Sequence, residues 1–302
     1  MIPARDRKQM MTIKSLSKQI LPPIVVAGMR RLARLWRKDV PEWEYVPEGW
    51  FCSSSRITGW NVESIANAEK AKWQTFQELT RGPGTLGIGH EAATPTNADP
   101  AVHNTIISFA YVLVRAARGK DCISILDWGG GLGHYYLIAR AVAPEVALDY
   151  HCKDLPHMCR TGRQLLPEIT FHEDEQECWD LSFDLVLASS SLHYSEAWKA
   201  TLRHLASVSK RYLYVTRLPV VLNSPSFVVV QRPYKIGYAA EYLGWSLNRQ
   251  EFLGEAATLG MELVREFLIQ DEPKVSNAPE QVVHRGFLFR PDRKPPLGEP
   301  LS

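Results

Sequence analysis

No stretch of this 302-residue chain is apolar over the roughly 18 residues that a bilayer span takes. Cysteine is scarce. Its five residues (Cys52, Cys122, Cys152, Cys159, Cys178) are odd in number and show no C-x-x-C spacing, which fits a reducing compartment better than a disulfide framework. The apolar stretch near the start is short, broken by Pro22 and Pro23 and followed by arginines. It lacks an A-x-A site, so a cleaved signal peptide is a poor reading. There is no internal repeat. Residues 41–302 have no basic stripe interleaved with aromatics, which argues against nucleic acid as their partner. These absences predict a cytoplasmic protein.

Charge is unevenly spread. Residues 1–40 hold ten Lys and Arg against two acids, a net +8, and residues 41–302 therefore carry −6. On a helix turning about 100° per residue, Val25, Met29, Leu32 and Trp36 share one arc. Arg30, Arg31, Arg34, Arg37 and Lys38 fill the opposite arc. The pattern predicts an amphipathic helix over Val25–Lys38. It either lies peripherally on the anionic inner face of the cytoplasmic membrane or packs on the domain that follows.

The most informative run is Ile125-Leu126-Asp127-Trp128-Gly129-Gly130-Gly131-Leu132-Gly133-His134. It reads as an apolar strand ending in a carboxylate, a glycine turn, and a helix opening at Leu132. A glycine turn at the carboxyl end of a strand lets the backbone approach a nucleotide-like ligand. Counted from Gly129, the G-x-G-x-x-G dinucleotide pattern would put its third glycine at His134, whose bulk opposes close helix–strand packing.

Elsewhere the chain alternates. Helices are predicted over 61–80, with a stripe at Ile65, Ala68, Lys72 and Phe76, and over 102–118, 156–166, 196–207 and from the Asn248 cap to Leu259. Strands are predicted at 146–153, 169–172, 183–188, 212–216, 262–269 and 282–289. Residues 41–60 read as an irregular connector. The organisation that follows is a basic segment (1–40), a helical extension packing on the core (41–118) and an α/β domain (119–290). That domain carries an aromatic-rich insertion (217–247), and a disordered tail (291–302) follows it. Strands alternating with helices predict a mostly parallel sheet covered on both faces, with one antiparallel strand at the end.

Several residues stand where such a sheet binds ligands. Asp154 ends the second strand of this domain and can accept both hydroxyls of a ribose, with Asp149 as competitor and a helix-capping role as the alternative. Ser189 follows the fourth strand, and there His193 or Tyr194 could reach a substrate hydroxyl or simply open the next helix. His90 stands behind them as a base candidate. Arg217 suits a phosphate or carboxylate, or a salt bridge to Asp127 or Glu241. Tyr234 belongs to the aromatic insertion. His151, Cys152, His157 and Cys159 match no familiar zinc spacing, and no metal is expected.

The order D-x-G-x-G-x-G at Asp127–Gly133 resembles motif I of the class I S-adenosylmethionine-dependent methyltransferases. That resemblance implies a Rossmann-like, mostly parallel seven-stranded sheet whose last strand is antiparallel, and S-adenosyl-L-methionine as cofactor. It implies Asp127 near the methionine ammonium, and Gly129, Gly130, Gly131 and Gly133 facing methionine and ribose. It also implies an acid such as Asp174 against the adenine amino group, and an acceptor site built by the insertion. A wider resemblance is carried by DWGGGLGHYY, SSSLHY, TRLP and LVREFLI with APEQ, over roughly residues 45–290. It is to a functionally uncharacterised family of methyltransferases encoded beside bacterial surface-polysaccharide and O-antigen genes. This implies a sugar or glycan hydroxyl as acceptor and supplies no catalytic residue; a lipid-linked acceptor would suit a membrane-lying Val25–Lys38 helix. Two alternatives stand beside it: a nicotinamide-dependent oxidoreductase, and a non-catalytic scaffold with the same fold.

Overall fold

A computed structural model describes residues 40–51, 57–89 and 97–292; Val25–Lys38, His90 and 293–302 lie outside the described residues. The first elements are β1 (Trp43–Val46), α1 (Glu63–Arg81), α2 (Pro100–Ala117), β2 (Cys122–Trp128), α3 (His134–Val142), β3 (Ala147–Lys153), α4 (Pro156–Leu165) and β4 (Thr170–His172). Then come α5 (Gln176–Trp179), β5 (Phe183–Ser189), α6 (Trp198–Ser207), β6 (Ser209–Val221), β7 (Phe227–Gln231) and β8 (Tyr242–Asn248). The chain closes with α7 (Arg249–Thr258), β9 (Met261–Leu268), β10 (Val275–Ser276) and β11 (Val283–Pro291).

Strand β5 is buried at every position, as a central strand of a two-sided sheet must be. Its neighbours β2 and β6 run parallel to it, β3 pairs with β2, and β4 pairs with β3, all parallel. On the other side β11 pairs antiparallel with both β6 and β9. The resulting order β4-β3-β2-β5-β6-β11-β9 is the Rossmann-like arrangement, parallel except for its last strand in sequence. Period-two alternation places helices on both faces. Ile125, Leu185, Leu187, Tyr214 and Leu288 face α1–α4. Leu126, Val186, Ala188, Val215, Phe287 and Phe289 face α6 and α7.

Among the described residues the sheet has eleven strands rather than seven. The reason is that β6 does not stop at Thr216. It continues for five residues, and Val220 and Val221 pair with Leu247 and Asn248 of β8. The expected insertion is thus largely an antiparallel β7–β8 pair. The expected connector at 41–60 supplies β1, which pairs with β7 and with β10. From Glu42 onward the chain forms one compact unit. Helix α2 starts where Asp99 caps the amides of Ala101 and Val102, with Pro100 in the first turn. On α1 the buried stripe runs through Ile65, Glu69, Trp73, Phe76 and Thr80; Ala68 and Lys72 lie beside it. Among the described residues no helix is long and apolar enough to cross a membrane.

Candidate functional site

The carboxyl ends of β2, β3 and β5 and the break in β6 at Arg217 surround a cavity of about 300 Å³. Its floor is the glycine turn after β2. Gly129 has φ +76°, and a Cβ there would stand 2.4 Å from the Cβ of Ser191, so only glycine fits. Gly131, at φ +61°, donates its amide to Asp154 Oδ2 at 2.8 Å. The Leu155 amide donates to Asp154 Oδ1 at 2.6 Å. An ionised carboxylate offers about four lone-pair sites, so two remain for a ligand. Burial pushes the Asp154 pKa up, against the pull of the Leu155 and Gly131 amides. Asp154 is not the helix cap, since Leu155 caps α4 without a side-chain bond. Asp149 lies off the wall, bonded to His151 Nε2 at 3.1 Å.

Asp127 lies under this turn and not on the cavity wall. It is 1% exposed, and Gly130 screens it so closely that a Cβ there would stand 2.4 Å from Oδ2. Tyr150 donates its hydroxyl to Oδ2 at 2.7 Å, while Oδ1 has no hydrogen-bond partner among the described residues. Burial pushes the Asp127 pKa up to about 7. Gly133 also lies off the wall, capping α3 against Leu166.

At the end of β5, Ser189 Oγ and the Tyr135 hydroxyl share a 2.8 Å hydrogen bond on the wall, and burial raises the Tyr135 pKa. Arg217 also reaches the cavity. It stands at a break in β6, where pairing with β5 ends at Thr216 and the register against β11 slips between Arg285 and Phe287. A bulge of this kind re-aims a side chain. Arg217 takes φ +51°, a strained conformation for a non-glycine residue that is frequent at functional sites. Glu241, one of its expected partners, is instead held by Arg232 at 3.3 Å and by the Tyr234 hydroxyl.

Aromatic residues close the far side. Trp60 stacks on Tyr242, with ring centroids 4.0 Å apart, and meets Tyr194 edge-on at 4.9 Å. Tyr194 is on the wall and donates its hydroxyl to Gln231 Oε1 at 2.6 Å.

Besides Asp127 and Gly133, three more expected site residues are not brought to the cavity. His193 is 0% exposed; the short helix Leu192–Tyr194 turns its ring inward, 3.9 Å from that of Tyr194 and against Gly244 of β8. Asp174 spends Oδ1 on the Gln176 amide at 3.0 Å, and the next residue, Glu175, takes the wall position beside Lys153. Tyr234 points to Glu241. The loose His/Cys group does not converge either. His151 bonds to His172 at 2.8 Å and His157 to Asn61 at 3.0 Å, and burial raises the Cys152 and Cys159 thiols. Among the described residues no group of three or more His, Cys, Asp or Glu could hold a metal ion.

The structure adds wall residues that the sequence reading missed, chiefly Trp60, Glu69, Tyr135, Lys153 and Glu175. Glu69 left a signal: it is an acid four residues from both Ile65 and Trp73 on a stripe otherwise largely apolar. His134 is buried edge-on to Trp73 and Phe76 of α1, at 5.0 and 4.8 Å.

Compared with known proteins, the sequence matches no family model and no curated protein. Solved structures resemble it in part. A Galdieria sulphuraria protein described as a sarcosine dimethylglycine methyltransferase shares 13% identity, covering 75% of this chain and 99% of its own, with a TM-score of 0.48. The N-terminal domain of EvdMO1, solved in the presence of SAH and D-fucose, shares 16% identity over 79% of this chain and 100% of its own, with a TM-score of 0.45. The [4+2]-cyclase SpnF shares 11% identity over 76% and 95%, with a TM-score of 0.44. Proteins this distant lend the chain no substrate, and the functional reading rests on the cavity's own geometry.

Proposed function

We propose that the protein is an S-adenosylmethionine-dependent methyltransferase that methylates a hydroxyl of a sugar or glycan intermediate. The observation that carries this reading is Asp154, clamped by two backbone amides over a turn that admits only glycine at Gly129. Its two open lone-pair sites suit a pair of vicinal ribose hydroxyls. The residues fit the cofactor: Asp154 would hold the ribose, Gly129–Gly131 would admit the ligand against backbone, and Ser189 would sit beside the reacting end. When bound, the cofactor supplies an electrophilic methyl group on its sulfonium.

The chain's own part is placement. Trp60 and Tyr194 present an aromatic wall against which the apolar face of a sugar can pack, and Arg217 offers a cation to a phosphate or carboxylate of the acceptor. Tyr194 is anchored through its hydroxyl to Gln231, which suits orientation of the acceptor. His193 is fully buried and does not line the cavity, which does not favour it as the general base. Support for a glycan acceptor is this wall together with the resemblance carried by the five sequence runs. The oxidoreductase alternative loses support from the acid order around Gly129. The scaffold alternative predicts ligand binding without turnover.

Glycan mass spectrometry of cells with and without the gene tests the proposal. Loss of one methyl group from a surface polysaccharide, restored by the wild-type gene and not by Asp154→Ala, is the expected result. Identical glycans would remove the glycan acceptor.

A further inference from the structure

The motif resemblance points to Asp127 as the acid at the cofactor's amino-acid end, yet Asp127 is sealed under the turn. Another carboxylate occupies the cavity side. Glu69 stands in the middle of the buried stripe of α1 and is 5% exposed. A carboxylate placed among Ile65, Trp73 and Phe76 is costly unless it is hydrogen-bonded. Its Oε1 accepts the hydroxyl of Tyr238 at 2.9 Å, a contact between residues 169 apart in sequence. Tyr238 is itself 2% exposed, so the bond fixes the carboxylate in place. Its Oε2 lies above the glycine turn, 3.3 Å from where a Cβ on Gly131 would stand. Glu69 and Gly129–Gly131 line the same cavity; Asp127 does not.

We infer that Glu69, held by Tyr238, is the carboxylate that receives the ammonium group of the bound cofactor. The assignment rests on the S-adenosylmethionine reading above. A ligand whose ribose is held at Asp154 has the glycine turn beneath the rest of its length and Glu69 over it. The arrangement also makes cofactor binding depend on α1 and on the segment between β7 and β8, both outside the motif that marks the turn. Glu69 is a binding residue here, and Tyr238 is its positioning residue.

Titration calorimetry on the full chain with three probes tests this. S-adenosylhomocysteine carries the ammonium, its deaminated analogue keeps only the carboxylate, and 5′-methylthioadenosine lacks the whole amino-acid end. Glu69→Gln keeps the shape and removes the charge. It should weaken S-adenosylhomocysteine at least about tenfold, the loss of one charge-assisted hydrogen bond, and leave the other two probes unchanged. Tyr238→Phe should produce a smaller loss with the same selectivity. Equal weakening of all three probes would make Glu69 a packing residue and overturn the assignment, as would no weakening at all. If Glu69→Gln does not fold, as circular dichroism would show, Tyr238→Phe decides: selective loss upholds the assignment, and uniform or absent loss overturns it. A wild-type protein that binds none of the probes fails differently, because it removes the cofactor reading itself.

Discussion

Replacing Asp127 by Asn should change how stability depends on pH. Burial holds this carboxyl near 7 instead of its ordinary 3.8, with the Tyr150 hydroxyl opposing the rise. Between those values the folded protein keeps a proton that the unfolded chain has lost. Stability therefore falls as pH rises through that window, and the full cost is present above it. A displacement of this size corresponds to about 4 kcal/mol. Asn keeps an oxygen for Tyr150 and cannot ionise, but its amide adds a buried donor that costs about 1–3 kcal/mol at every pH. The absolute stability of the variant is thus set by two opposing effects, while the pH slope isolates the first. In urea unfolding at steps from pH 4 to pH 8, the variant should gain roughly 2–4 kcal/mol relative to wild type across the series. Groups that do not sense the Asp127 charge cancel in that difference, whereas Asp154, whose charge also raises the Asp127 pKa, remains in it. Parallel stability curves would mean that Asp127 is not held protonated, and the account of the acid beneath the turn would be wrong.

Three further outcomes follow from the same geometry. Asp154→Ala removes charge-assisted bonds worth roughly 1.5–3 kcal/mol each and should weaken S-adenosylhomocysteine at least about tenfold, whereas Asp149→Ala, off the wall, should leave it unchanged; calorimetry compares the two. Gly131→Ala places a side chain at φ +61° beneath Glu69, so thermal unfolding should show a loss of about 1–2 kcal/mol and cofactor affinity should drop with it. For the basic head, sedimentation with anionic vesicles at low salt should pellet the wild-type chain. A variant with Arg30, Arg31, Arg34, Arg37 and Lys38 changed to Ala should stay in solution, at about 1 kcal/mol per lost charge; equal pelleting ends the membrane reading.

What the sequence made legible were features set by local chemistry. Helices α2, α4 and α6 and strands β3, β4 and β5 lie within two residues of where periodicity and turn residues put them. The glycine turn and Asp154 were readable because a strand end, a turn and an acid have fixed spacings. Side-chain direction in the loops was not. Asp174 and Glu175 are adjacent acids, and a bond from the Gln176 amide to Asp174 decides which of them faces the cavity. His193 was expected to reach a substrate hydroxyl or to open the next helix, but it packs against Gly244 on the face of β8, a strand that pairs with the part of β6 beyond the bulge at Arg217. Glu69 went unread because an acid on a helix is normally solvated, and its burial depends on Tyr238, far away in the chain.

The proposed function requires this cavity to hold an adenosyl cofactor through Asp154. Thermal unfolding of wild type and Asp154→Ala with S-adenosylhomocysteine, and separately with NAD, tests it most directly. The expected result is a concentration-dependent rise in Tm for wild type with S-adenosylhomocysteine, largely lost in Asp154→Ala, and no shift with NAD. A shift with NAD alone, or an equal S-adenosylhomocysteine shift in both proteins, would contradict it.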